Sequence, residues 1–165
     1  MNESFHDVPD VEEVPDCGGL HLERAQRLCE AISQFRDYHL VRLLGRSDGA
    51  ECLIVDVECD GVPSKNPYGI RFRERLALWV PADGKQVVRA LALRRDFPTL
   101  GHQNHGPLGG PADLCLYFEP PASVSRTWTA PNFLRRIQWW LDQSLNSVQE
   151  QVTERRLELL FSFLD

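Results

Sequence analysis

The sequence predicts an α+β domain: an N-terminal helix, a four-stranded antiparallel meander, an irregular loop, then C-terminal helices. Three observations predict it. Apolar residues recur at helical spacing near the start, alternate from about Tyr38, and return to helical spacing from Pro131. Turn signals at Ser47-Asp48-Gly49, Asp60-Gly61 and Asp83-Gly84 break up the alternating part. A Gly/Pro-rich stretch separates the strands from the later helices. With 165 residues, 42% hydrophobic and 25% charged, the chain fits one globular domain with a real core.

Residues 1–19 read as an acidic flexible tail. Glu3, Asp7, Asp10, Glu12, Glu13 and Asp16 carry its charge, and Pro9 and Pro15 interrupt it. Residues 20–36 place Ala25, Leu28, Cys29, Ile32 and Phe35 on one helical face. In the next strands, Leu53, Val55, Val57 and Cys59 form one face, and Cys52, Ile54, Asp56 and Glu58 the other. Leu76, Leu78 and Val80 continue the pattern, and Val87 to Leu93 make the last strand of the meander.

Residues 98–112, PTLGHQNHGPLGGPA, hold four glycines and three prolines. No helix or ladder strand tolerates that composition well, so a long loop is expected. It runs into the apolar Leu114-Cys115-Leu116-Tyr117-Phe118, which should tie it to the core. The next helix carries Phe133, Leu134, Ile137, Trp140, Leu141 and Leu145 inward, with Pro131 in its first turn and Thr129 as a cap. A last helix is expected from about Ser147, with Ser147 and Glu150 as a capping box. The chain thus divides into a tail (1–19), a main domain (20–146) and a C-terminal helix or partner segment (147–165).

Net charge narrows the function. The formal charge is −6, and six of the twenty-four acids lie in residues 1–16, where there is no Lys or Arg. The remainder is balanced, which argues against nucleic-acid binding. No apolar run is long enough for a membrane span, and the N-terminus is no signal peptide. Five irregularly spaced cysteines suggest free thiols in a reducing, cytoplasmic setting and no zinc site. Arg71, Arg73 and Arg75 form a one-face stripe near Arg94 and Arg95, either a docking patch or the wet side of the sheet. Trp139 lies off the apolar stripe of its helix, as a partner contact or as part of a helix packed on two sides.

Cys17, Cys29, Cys52 and Cys59 read as filler on faces or in the tail. Cys115 differs. It follows Asp113 at the exit of the Gly/Pro loop, with His102, Asn104 and His105 within thirteen residues before it. A nucleophilic thiol needs such access, rigidity and nearby donors. A Cys in a short buried strand fits the same spacing, and both readings stand at this point.

The order of motifs resembles that of ubiquitin-conjugating enzymes. His102-Gln103-Asn104 resembles their His-Pro-Asn motif, and Cys115-Leu116 their active-site Cys-Leu. Trp128-Thr129-Ala130-Pro131 resembles the Trp and Pro before the following helix, and Phe97-Pro98 the end of the fourth strand. With Asp96-Phe97-Pro98, Leu114-Cys115-Leu116-Tyr117 and Trp139-Trp140-Leu141, the stretch from Leu91 to Leu145 is similar to the bacterial ubiquitin-conjugating-like proteins of anti-phage operons. The pattern departs at Gln103, in the eleven residues from Asn104 to Cys115, and around Pro120-Pro121.

The resemblance implies an acyltransferase. Cys115 would accept a ubiquitin-like protein from an activating enzyme and pass it to an amine on a protein target. Asn104, or His105 in its place, would support the oxyanion, and His102 would buttress the loop. Asp113 or Glu119 would orient or deprotonate the amine. No metal or small cofactor is implied. A non-catalytic binding module of the same fold and a Cys–His hydrolase are the competing readings.

Overall fold

The computed structural model describes residues 4–62, 69–98, 103–104 (backbone only), 110–114, 116–117 and 119–144. The expected capping box at Ser147, and the segment 147–165 with it, lies outside the described residues.

One antiparallel sheet organises the chain. Its strands are β1 (Val11–Val14), β2 (Tyr38–Arg46), β3 (Glu51–Glu58), β4 (Arg73–Val80), β5 (Arg89–Ala92), β6 (Gln103–Asn104) and β7 (Ala112–Leu114). Among the described residues they run in the order β1-β2-β3-β4-β5-β7-β6. The meander is β2 to β5, as the alternating pattern predicts. The helices are α1 (Glu23–Gln34), α2 (Pro121–Thr127) and α3, whose described part covers 130–144.

The first sheet face carries the main core. Leu53, Val55 and Val57 of β3 and Leu76 and Leu78 of β4 are each fully buried there, in one cluster with Leu28 and Ile32 of α1 and Phe133, Ile137 and Leu141 of α3. The predicted stripes of both helices are therefore the buried ones; Leu145 lies outside the described residues. Thr129 Oγ1 accepts from the Asn132 amide at 3.3 Å, the expected cap of α3. Helix α1 has no cap from its own side chains. Instead Glu51, 3% exposed at the start of β3, accepts from the amides of His21 and Leu22 at 2.7–3.0 Å. A carboxylate there satisfies orphan amides and faces the positive end of the helix dipole.

The second sheet face is also covered. Leu44, Cys52, Ile54 and Ala77 are buried there, packed by Phe5, Val8 and Val11. The expectation of a flexible tail therefore needs correction for its described part. The His6 amide donates to the Leu93 carbonyl at 2.7 Å, the Arg95 amide to Ser4 at 3.0 Å, and Val11–Val14 pairs with β2. Apolar residues at 5, 8 and 11 supply a binding face that the acids around them conceal in a composition count.

Two further expectations change. Cys17 and Cys29 are not free but joined as a disulfide, with Cα atoms 6.0 Å apart. A short 3-10 turn at Cys17–Gly19, capped by Asp16, brings Cys17 over α1. And a helix, α2, begins at Pro121, before the expected one. Pro121 occupies its first turn, where a missing N–H costs nothing.

The arginine stripe serves the fold. Asp56 accepts from Arg75 at 2.9 and 3.1 Å and from Arg73 at 3.3 Å. Burial opposes its charge, but the two guanidiniums prevail and hold its carboxyl below the ordinary value. Arg75 also stacks on Phe5 at 4.5 Å. Arg94, 3% exposed, pairs with Glu74, 1% exposed, at 2.6 Å and donates to the Gly69 carbonyl at 2.5 Å. Removing one member of a buried pair strands the other. Arg94→Ala is expected to lower unfolding stability by about 3–5 kcal/mol in denaturant titration. Arg27→Ala, which breaks the exposed pair with Glu23 on α1, is expected to cost no more than about 0.5 kcal/mol.

Candidate active site

The candidate site lies at the sheet edge formed by β5, β7 and β6. Leu91 and Ala92 of β5 pair with Asp113 and Ala112 of β7, and β7 pairs with β6 through Gln103↔Leu114 and Asn104↔Asp113. The Gly/Pro loop therefore contains a short two-stranded connection, which its composition conceals. The asparagine predicted as oxyanion donor, Asn104, has its backbone opposite Asp113, two residues before Cys115 in the chain. Its side chain lies outside the described residues, as do Cys115, His102 and His105.

The residues around Cys115 are a buried leucine on either side. Leu114 and Leu116 are 3% and 4% exposed, so both anchor in the core. Asp113 is 4% exposed and accepts from Arg89 Nε at 2.8 Å, with Arg89 Nη2 on the same oxygen. The structure thus gives Asp113 to an ion pair between β7 and β5. That use competes with the amine-handling role suggested by its position. Glu119 is exposed.

On the other side of Cys115, Arg136 of α3 donates from Nε to the Leu116 carbonyl at 2.7 Å. Its guanidinium lies 5.4 Å from the Tyr117 ring and 4.6 Å from the Trp139 ring. Trp139 is 46% exposed, so the stack reaches the surface. Sequence reasoning missed Arg89 and Arg136, since each is an ordinary polar residue on its own element. Their hydrogen-bond partners, Asp113 and Leu116, lie twenty or more residues away.

Two clefts adjoin this segment. One, about 200 Å³, is lined by Arg89, Asp113, Leu116 and Tyr117 among others. The second, about 270 Å³, lies between Tyr117, Glu119, Trp128 and Asn132. A more spacious cleft of about 600 Å³ sits at the β1 edge, between Asp10, Glu13 and Arg46. It contains none of the residues predicted to act.

The described cysteines are all accounted for. Cys17 and Cys29 are paired. Cys52 and Cys59 are buried, and burial pushes both thiols up to about 12, with Asp142 and Asp37 adding to the effect at Cys59. Such thiols are neutral and poor nucleophiles near neutrality. Among the described residues no three His, Cys, Asp or Glu side chains converge to hold a metal ion. No helix among them is long and apolar enough to cross a membrane.

An antiparallel meander with α1 and α3 on one face, and a segment leading from the sheet to the later helices, defines an α+β protein. The family model for Prokaryotic E2 family A matches residues 39–147, and the chain belongs to that family, a bacterial ubiquitin-conjugating-like one. Membership links it to ubiquitin-like conjugation. No curated protein and no solved structure matches it.

Iodoacetamide at pH 8 is expected to leave Cys52 and Cys59 unmodified in the native protein and to label both in denaturant, read by peptide mass spectrometry. Labelling of either in the native state would contradict their burial.

Proposed function

We propose that the chain carries a ubiquitin-like protein as a thioester on Cys115 and transfers it to an amine on a protein target. The observation that carries this reading is the family match. It spans β2 to α3 and includes the His102–Asn104 motif and Cys115. The neutral, buried state of Cys52 and Cys59 and the pairing of Cys17 with Cys29 support it, since no described thiol competes for the role.

In the first step the Cys115 thiolate attacks the thioester carbonyl on the activating enzyme. A carbon–sulfur bond to Cys115 forms, and the activating enzyme's cysteine leaves. An ordinary thiol with pKa about 8.5 is ionised to a useful extent near neutrality. In the second step an amine attacks the new thioester. A tetrahedral oxyanion forms, the amine loses a proton, and Cys115 leaves as the amide bond is completed. The side-chain amide of Asn104 donates to that oxyanion, with His105 as the substitute donor, and His102 braces the segment. The antiparallel pairing of β6 and β7 supports Asn104, because it returns the chain toward β7 despite the long spacing to Cys115.

ATP is spent by the activating enzyme, so this chain needs no cofactor. Residues 20–146 form the conjugating domain, with the N-terminal segment from Ser4 packed onto its sheet, and 147–165 serve as a linker or partner segment. The proposed setting is the cytoplasm, where the activating enzyme finds ATP, although the Cys17–Cys29 disulfide is uncommon in a reducing compartment; the proposed pathway is bacterial anti-phage defence. A non-catalytic binding module of the same fold is the alternative that the test separates.

The protein is mixed with ATP and the activating enzyme and ubiquitin-like protein encoded beside it. A reductant-sensitive adduct is expected, absent in Cys115→Ala and converted to a reductant-resistant ester in Cys115→Ser. Asn104→Ala is expected to keep the adduct while slowing transfer to an amine by about 10²–10³. No adduct from a charged activating enzyme would contradict the carrier role and leave the binding module.

A further inference from the structure

The geometry points to Arg136 as a positioning residue that holds the Leu116–Tyr117 peptide, one residue beyond Cys115, and thereby sets the thiol for acyl transfer. The inference rests on the proposed thioester role of Cys115.

Arg136 reaches from α3 to the main chain, not to a side chain. Its Nε–H donates to the Leu116 carbonyl at 2.7 Å, one residue beyond Cys115. The guanidinium is held in turn by two rings, Tyr117 at 5.4 Å and Trp139 at 4.6 Å. A planar cation stacked against aromatic rings presents its edge N–H in one direction. The neighbouring Leu116 side chain is 4% exposed, so the carbonyl is presented from an immobile residue. On the other side of Cys115, Asp113 is held by Arg89 of β5. The peptide is thus clamped before and after the cysteine by arginines from two different elements. Small displacements of a reacting atom cost large factors in rate, up to about 10²-fold for 1 Å. A tie on the carbonyl one residue beyond the cysteine therefore bears on transfer.

Lysine cannot replace this arrangement in full. Its ammonium can reach a carbonyl, but it lacks the planar group that packs on the rings. Arg135 provides the control on the same helix. It is exposed, hydrogen bonds to Asn132 and stacks on Phe35, away from Leu116.

The test compares wild type, Arg136→Ala, Arg136→Lys and Arg135→Ala by melting temperature, by iodoacetamide alkylation of each cysteine, and by single-turnover charging at saturating activating enzyme. Arg136→Ala is expected to fold, to leave Cys52 and Cys59 unlabelled, to change the Cys115 alkylation rate, and to charge about 10–100-fold more slowly. Arg136→Lys should recover part of the loss, and Arg135→Ala should match wild type. Charging of Arg136→Ala at the wild-type rate overturns the inference. So does a slower rate with Cys115 alkylation unchanged, and so does labelling of Cys52 and Cys59 together with Cys115, which reports general unfolding. If wild type itself does not charge, the thioester reading fails and alkylation alone decides: a change confined to Cys115 supports the clamp, and no change refutes it.

Discussion

The ion pair between Arg89 and Asp113 is the interaction on which the candidate site depends. Strand β7 has three residues, and two of them pair with β5. So short an edge contact is weak by itself. The buried Asp113 carboxylate adds a charged tie to β5, and a carboxylate at 4% exposure would be costly without it. From β7 the order passes both ways. Backwards, β6 pairs with it and brings the Asn104 backbone opposite Asp113. Forwards, Leu114 and Leu116 enter the core on either side of Cys115. Gln103 and Asn104 of the Gly/Pro-rich stretch thereby join the sheet.

The same device recurs elsewhere: a buried charged group on a strand joins elements distant in sequence. Glu51 of β3 satisfies the amides at the start of α1. Glu74 of β4 holds Arg94, which lies just past β5 and also reaches Asp96 and the Gly69 carbonyl. Arg75 lies between Asp56 and Phe5, so the sheet's charges help seat the N-terminal segment. Such pairs add little where solvent reaches them, but buried they fix one arrangement because each partner is costly to strand. In the stripe, Arg73 and Arg75 are tied to Asp56, while the Arg71 and Arg73 side chains stay 43% and 52% exposed on the wet side of the sheet.

Much of the fold was legible because it is periodic. The α1 stripe from Ala25 to Ile32, the alternation through Leu53, Val55 and Val57, and the α3 stripe from Phe133 to Leu141 each report a buried face directly. The parts that were not legible depend on distant partners. Val11–Val14 has strand character only because β2 offers an edge, and Phe5 and Val8 become buried partners only because Ile54 and Ala77 face outward. Cys17 meets Cys29 through a turn that charge counting could not reveal. Helix α2 was not expected before Pro131, although its Pro121 suits a first helical turn. At the site, the order of His102, Asn104, Cys115 and Trp128 carried the family assignment, which the match over 39–147 bears out. The arginines that hold the segment, Arg89 and Arg136, carry no local signal at all.

The central claim is that Ala112–Leu114, just before Cys115, is held as part of the sheet. Native-state hydrogen exchange of residues 110–117, in wild type and in Arg89→Ala, tests it most directly. The account predicts that this segment is protected in wild type alongside β5, and that Arg89→Ala releases it while β2, β3 and β4 stay protected. Exchange of the wild-type segment at the rate of an unstructured chain, or protection unchanged in Arg89→Ala, would contradict it.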